Sequence, residues 1–175
     1  LNELQQMGLD FGETKETVLS VDAVCGAAIA RTGLDDFGPA DFRDRLELQL
    51  TEMDEDSERT GLGRMLFFSD CVRNAANRLL IRDLLARHPE IADIKIDRPV
   101  IVVGLPRSGT TNLVNLLAAD SRFRSMPLWE SYAPVPNPKD PPEVDGVDPR
   151  WARSQGGWEA MQAGAPLLAA MHPME

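Results

Sequence analysis

The sequence of 175 residues has few cysteines, a deficit of basic residues and no long hydrophobic run. Its two cysteines, Cys25 and Cys71, form no metal-binding or redox spacing, so we interpret both as small core residues. There are 18 basic residues against 28 acidic ones, a formal net charge of -10, which argues against a nucleic-acid partner because the average surface would repel phosphates. Any anionic ligand must therefore be held by a local site.

The hydrophobic residues are numerous but scattered. They make up 43% of the chain, which is enough for the core of about one domain. No stretch approaches the run of about 20 apolar residues that spans a bilayer, and the N-terminal residues are too polar for a signal peptide. These features predict a cytoplasmic protein without a membrane span.

Three amphipathic helices are predicted in the N-terminal half. Ser20 as N-cap and Gly33 as the stop bound the first helix, and the second has Pro39 in its first turn. The third runs from about residue 62 to residue 87 and ends before Pro89. The apolar positions of the second and third helices recur every three or four residues and include Phe42, Leu46, Leu50, Met53, Met65, Phe68, Val72, Ala75, Leu79 and Leu84.

The chain changes character in the stretch RPVIVVGLPRSGTTNLVNLLAAD, residues 98–120. Its β-branched run is typical of a strand over residues 99–104 that is buried on both faces of a parallel sheet. A turn follows, then a helix over residues 109–119 with Leu113, Leu116 and Leu117 facing inward. The fold class predicted is α/β with a parallel sheet, preceded by a helical N-terminal region.

The predicted sheet has too few strands to stand alone. Only one further short strand, near residues 123–126, is indicated, and a lone buried parallel strand is not stable. We therefore expect the sheet to be incomplete in this chain and the sequence to be a portion of a longer protein.

The turn GLPRSGTT has the outline of a phosphate-binding loop. Gly104 and Gly109 are five positions apart, and the backbone N–H groups of the turn and of the following helix would converge on one point with the helix dipole behind them. Thr110 occupies the position where ATP- and GTP-binding loops carry lysine. The available cation is instead Arg107, whose planar guanidinium suits bidentate binding of a shorter phosphate chain.

This stretch resembles the 5'-phosphosulfate-binding loop of the sulfotransferases that use 3'-phosphoadenosine 5'-phosphosulfate (PAPS), in the branch whose loop reads PRSGTT. The segments RTGLDDFG and PLWE also resemble bacterial members of that family. The resemblance implies a P-loop-like three-layer α/β domain that begins in residues 96–175, behind a helical region of residues 1–95. It also implies sulfuryl transfer from PAPS, without a metal, to a hydroxyl of a small metabolite, a glycan or a lipid. The cofactor-binding residues implied are Leu105, Pro106, Arg107, Ser108, Gly109, Thr110 and Thr111.

Sulfuryl transfer needs a base for the acceptor proton, and Glu130 is the leading candidate. It lies 23 positions after Arg107, just past the second predicted strand and hence near the same carboxyl edge of the sheet. The resemblance implies a catalytic role for Glu130, with Arg107 stabilising charge on the leaving phosphate. A structural carboxylate that pairs with an arginine remains open for Glu130. Trp129 either lines the acceptor pocket or lies in the core, and His172 is a second candidate base.

Several questions stay open at the level of sequence. Members of the family bind the 3'-phosphate through an arginine and a serine. The sequence around Arg150 and Arg153 does not match that site, so we expect the site to lie outside this chain. The acceptor and self-association into a homo-oligomer are also undecided. The alternative functions are a P-loop nucleotide-dependent kinase and a helical interaction module with a vestigial loop.

Overall fold

The computed structural model describes residues 17–55, 60–105 and 108–164, and its regular elements are helices. The helical body contains α1 (Val21–Thr32), α2 (Asp41–Glu55), α3 (Gly61–Arg87) and a 3₁₀ turn (Pro89–Asp93). The rest of the chain contains α4 (Thr110–Ala118), α5 (Leu128–Tyr132) and α6 (Pro149–Gly164). None of the helices in these ranges is both long and apolar enough to cross a bilayer.

The ends of α1 are fixed by the residues that the sequence predicted. The hydroxyl of Ser20 accepts a hydrogen bond of 3.2 Å from the Ala23 amide, which satisfies one free donor of the first turn. Gly33 adopts the left-handed conformation (φ 81°) and its amide donates to the Ile29 carbonyl at 2.7 Å. The predicted N-cap and C-cap are therefore confirmed.

The core lies where α1 packs against α3, with α2 along one side. Leu79 and Val24 are its largest fully buried side chains. Cys25 and Cys71 are also buried there as free thiols, so their interpretation as core residues is confirmed, and burial raises the pKa of both. The core residues are Val24, Cys25, Ala28, Phe37, Leu50, Cys71, Val72, Ala75, Ala76 and Leu79.

The loop between α1 and α2 is anchored on α3 by two arginines. Arg78 donates from Nε to the Phe37 carbonyl at 2.7 Å, and Arg82 pairs with Asp36 at 3.1 Å. Phe37 is buried and stacks on Phe42 with ring centroids 5.3 Å apart. The RTGLDDFG segment is thus part of the helical body.

Residues 94–105 and 119–127 are irregular apart from isolated turns, and no described residue belongs to a strand. The predicted strands over residues 99–104 and 123–126 have no partner in the described part of the chain, and a strand is stabilised only by its ladder of hydrogen bonds. Val103 is accordingly 86% exposed. The parallel sheet stays a prediction.

The inward orientation predicted for α4 is not found in the described structure. Leu113 and Leu116 are 48% and 64% exposed, and Leu117 is only half-buried. The physical reason is that α4 has no sheet to pack against in the described ranges. An amphipathic helix buries its apolar face only where a second layer covers it.

The segment after α5 returns to the helical body and closes the C-terminal end of α1. Lys139 donates from Nζ to the Ala30 carbonyl at 2.8 Å, and Asn137 donates from Nδ2 to the Arg31 carbonyl at 3.2 Å. These carbonyls are among the four that a helix leaves unpaired at its C-terminus. Arg153 of α6 pairs with Asp140 at 2.8 Å and so attaches the last helix to the same segment.

Candidate functional site

The candidate phosphate loop is curled by hydrogen bonds between residues three apart. The Leu105 carbonyl accepts from the Ser108 amide at 3.2 Å and from the Ser108 hydroxyl at 2.6 Å. Pro106 and Arg107, the two residues at the tip, lie outside the described residues, as does His172. The described part of the turn therefore consists of the residues on either side of its tip, 104–105 and 108–111.

Gly104 lies on the inner side of this turn, where there is no room for a side chain. A Cβ at that position would stand 2.7 Å from the Ser108 hydroxyl oxygen and 2.8 Å from Cγ2 of Thr110. Both distances are shorter than van der Waals contact. The first glycine of the loop is thus required for the close approach of the backbone to the start of α4.

Gly109 is the N-cap of α4 and has a left-handed backbone (φ 89°, ψ 12°). Gly109 offers no side chain to cap the first turn of α4, so the leading N–H groups of that helix receive no hydrogen bond from their N-cap residue. A Cβ built on Gly109 would meet no atom of the described residues within 4 Å, so these residues leave the space beside the helix end open. Open N–H donors with the positive end of a helix dipole behind them are typical of an anion site.

Glu130 lies in the first turn of α5 and pairs with an arginine. Its Oε2 is 2.7 Å from Nη2 of Arg124, and its side chain is 24% exposed. This ion pair is the contact that the structural alternative for Glu130 requires. In the described residues, no hydrogen bond or ion pair joins Glu130 to the loop at residues 104–105 or 108–111. The catalytic role of Glu130 stays a prediction.

Arg150, at the start of α6, contacts both the aromatic neighbour of Glu130 and the end of α5. Its guanidinium lies 4.9 Å from the centroid of the Trp129 ring, which is half-buried, and donates to the Ala133 carbonyl at 3.0 Å. Hydrogen bonds to Asp148 raise the pKa of Arg150, and the charge of Glu130 acts in the same direction. Sequence reasoning gave Arg150 no such role.

Helix α5 also contacts α3 through Tyr132. Asn77 donates from Nδ2 to the Tyr132 carbonyl at 2.8 Å, and the Arg73 guanidinium lies 4.5 Å from the centroid of the Tyr132 ring. Sequence reasoning missed these two residues because the hydrogen bond joins positions 55 apart, beyond any helical periodicity. The sequence offered one weak signal: Tyr132 is its single tyrosine and lies two positions after Glu130.

Comparison with known proteins gives a family match and two similar solved structures. Residues 99–175 match the sulfotransferase family model. Sulfotransferase STF1 of Mycobacterium tuberculosis is 28% identical, with a TM-score of 0.69 over 84% of this chain and 40% of that one. Sulfotransferase STF9 of Mycobacterium avium is 27% identical, with a TM-score of 0.70 over 87% of this chain and 38% of that one. No curated protein matches.

The extent of these matches bears on both halves of the chain. The structural alignments cover more residues than the segment 99–175, so part of the helical region takes part in the similarity. The chain spans about two fifths of the length of the matched structures. The resemblance inferred from the loop sequence is confirmed by all three matches.

Proposed function

We propose that this chain belongs to the sulfotransferase family and carries the donor-binding loop of an enzyme that transfers a sulfuryl group from PAPS to an acceptor hydroxyl. The observation that carries the proposal is the loop: the family match begins at residue 99 and includes the uncapped helix start behind Gly109. Such a helix start binds anions without a metal.

The loop residues 105–111 would hold the 5'-phosphosulfate of the donor, which supplies the activated sulfuryl group. In the transfer, the acceptor oxygen bonds to sulfur and the bond from sulfur to the bridging phosphate oxygen breaks. Adenosine 3',5'-bisphosphate leaves with the electron pair of that bond. Glu130 takes the hydroxyl proton, and Arg107 stabilises the negative charge on the leaving phosphate.

The acceptor class proposed is a hydroxyl of a small metabolite, a glycan or a lipid, in the cytoplasm. Residues 1–95 form the helical region, and residues 96–175 form the first part of the PAPS-binding domain. This division agrees with the packing, since the helices that share the core all end before residue 95.

The proposal is tested by ligand-induced thermal stabilisation of the natural polypeptide that carries these residues. A ligand that binds only the folded state stabilises it by RT ln(1 + [L]/Kd), about 2.7 kcal/mol at a hundredfold excess over Kd. Adenosine 3',5'-bisphosphate without Mg²⁺ should raise the melting temperature. Protection by ATP with Mg²⁺ instead would indicate a kinase, and protection by neither would leave an interaction module.

Arg107→Ala separates the loop from other anion sites on the protein. The substitution removes a charge-assisted contact and leaves the phosphate partly unpaired, so bisphosphate affinity should fall by about 2 kcal/mol or more. Arg45→Ala is the matched control, because Arg45 is an exposed arginine of α2 that pairs with Asp41. Equal affinity of Arg107→Ala and the control would refute the assignment of the loop.

A further inference from the structure

Helix α5 is too short to fix the position of Glu130 by itself. It has five residues, Leu128–Tyr132, and its N-cap Pro127 makes no side-chain capping bond. Isolated helices of this length are not stable in water, because nucleation fixes several residues for a single hydrogen bond. Arg124 pairs with the Glu130 carboxylate, but the position of the backbone that carries Glu130 depends on what holds α5 from outside.

One support comes from α3, the 27-residue helix of the core. Asn77 donates to the Tyr132 carbonyl at 2.8 Å and Arg73 lies over the Tyr132 ring at 4.5 Å. Their chain neighbours Ala76 and Val72 are buried in the core. The backbone that carries these two side chains is consequently fixed by packing.

The second support comes from α6. Arg150 covers the Trp129 ring at 4.9 Å and donates to the Ala133 carbonyl at 3.0 Å. Its side chain is only 13% exposed, and the Nε and Nη2 atoms of its guanidinium donate hydrogen bonds to Asp148. The contacted residues thus flank Glu130 on both sides along the chain.

We propose that Asn77, Arg73 and Arg150 are positioning residues that hold α5, and with it the Glu130 carboxylate, in the geometry needed to accept the acceptor proton. This inference rests on the proposed function. A general base must lie within hydrogen-bond reach of the proton that it removes, and a misplacement of 1 Å costs about a hundredfold in rate. The helical region thereby acquires a role in catalysis without touching substrate.

The first experiment compares Asn77→Ala with Asn74→Ala in the natural polypeptide. Asn74 is an exposed asparagine on the same helix and serves as the control. The readouts are label transfer from saturating radiolabelled PAPS into a metabolite extract, and the Kd of adenosine 3',5'-bisphosphate. Asn77→Ala should transfer about tenfold more slowly with an unchanged Kd, whereas Asn74→Ala should match the wild type in both. A Kd that rises as much as the rate falls would overturn the inference.

The second experiment asks whether Asn77 acts through Glu130. In a Glu130→Gln background the base is already absent, so adding Asn77→Ala should change the residual rate by less than about twofold. The same tenfold loss in both backgrounds would show a general structural role and overturn the inference. Arg73→Gln, which removes the contact with the Tyr132 ring, should behave like Asn77→Ala in both backgrounds.

A readout that does not need turnover separates this inference from the proposed function. Amide hydrogen exchange at residues 131 and 133, whose N–H groups donate to Pro127 and Trp129, should accelerate in Asn77→Ala but not in Asn74→Ala. If exchange accelerates in Asn77→Ala but the wild type transfers no sulfuryl group, the proposed function is refuted and the support of α5 by Asn77 is retained. Unchanged exchange would overturn the support itself.

Discussion

Gly109→Ala tests the backbone conformation of the loop. The Cβ would meet no atom within 4 Å among the described residues, so the substitution introduces no clash with them. Its cost lies in the left-handed conformation at φ 89°, which an L-residue with a Cβ adopts at about 1–2 kcal/mol. The variant loop can relax away from this conformation, and binding must then restore it. We expect the Kd of adenosine 3',5'-bisphosphate to rise about 5- to 30-fold.

Calorimetric titration of Gly109→Ala, Gly109→Asn and the wild type checks this reasoning. Asparagine tolerates the left-handed region better than alanine, so Gly109→Asn should lose clearly less affinity than Gly109→Ala. The melting temperature without ligand should change little, because Gly109 is exposed and lies outside the helical core. Equal losses for alanine and asparagine, or no loss for alanine, would refute the explanation by backbone conformation.

Three further perturbations test other parts of the molecule. Glu130→Gln should slow transfer by about 10²- to 10⁴-fold with an unchanged bisphosphate Kd, and a rate within about threefold of wild type would return Glu130 to a structural role. Gly38→Ala should lower the free energy of unfolding in urea by about 1–2 kcal/mol, because Gly38 has φ 72° and a Cβ there would stand 2.6 Å from Cζ of Arg82. The hydrogen bond from Arg150 holds the pKa of Asp148 below its ordinary value, so this pair stabilises the fold above about pH 4 and the contribution is lost as the pH falls through the lowered value. Asp148→Asn should therefore flatten the loss of stability that urea unfolding shows as the pH falls below about 4, and the same pH dependence as the wild type would contradict this.

The helical region was predictable because its signals are local. Ser20 accepts from an amide and Gly33 donates to a carbonyl within four residues of themselves, and the spacing that predicted a buried Leu50 is the period of one helix. The boundary of α2 differs slightly, since the helix begins at Asp41, two residues after Pro39, which was predicted to lie in its first turn. Such differences of one or two residues are common at helix ends.

The supports of α5 could not be predicted because they join distant positions through polar side chains. Asn77 binds a backbone carbonyl 55 positions away, and any residue type provides such a carbonyl. The sequence therefore did not identify Tyr132 as the hydrogen-bond partner of Asn77. By contrast, the sequence indicated Trp129 as a residue of either the acceptor pocket or the core. The structure adds that the Arg150 guanidinium lies over its ring.

The described flanks of the loop and the predicted strand before it depend on contacts of different range. This explains why hydrogen bonds shape the flanks, whereas residues 99–104 form no strand in the described part of the chain. The loop is shaped by Gly104, Ser108 and Gly109, which act on one another or on residues at most six positions away. Val103 gains nothing from such contacts, since it is 86% exposed, and full burial of a valine contributes about 1.5–3 kcal/mol. A parallel neighbour would supply both this burial and the ladder of hydrogen bonds that fixes the chain entering the loop. Under the proposed function, the rigidity of the N–H groups at the turn, and hence the affinity for the donor, should therefore depend on how residues 99–104 are covered.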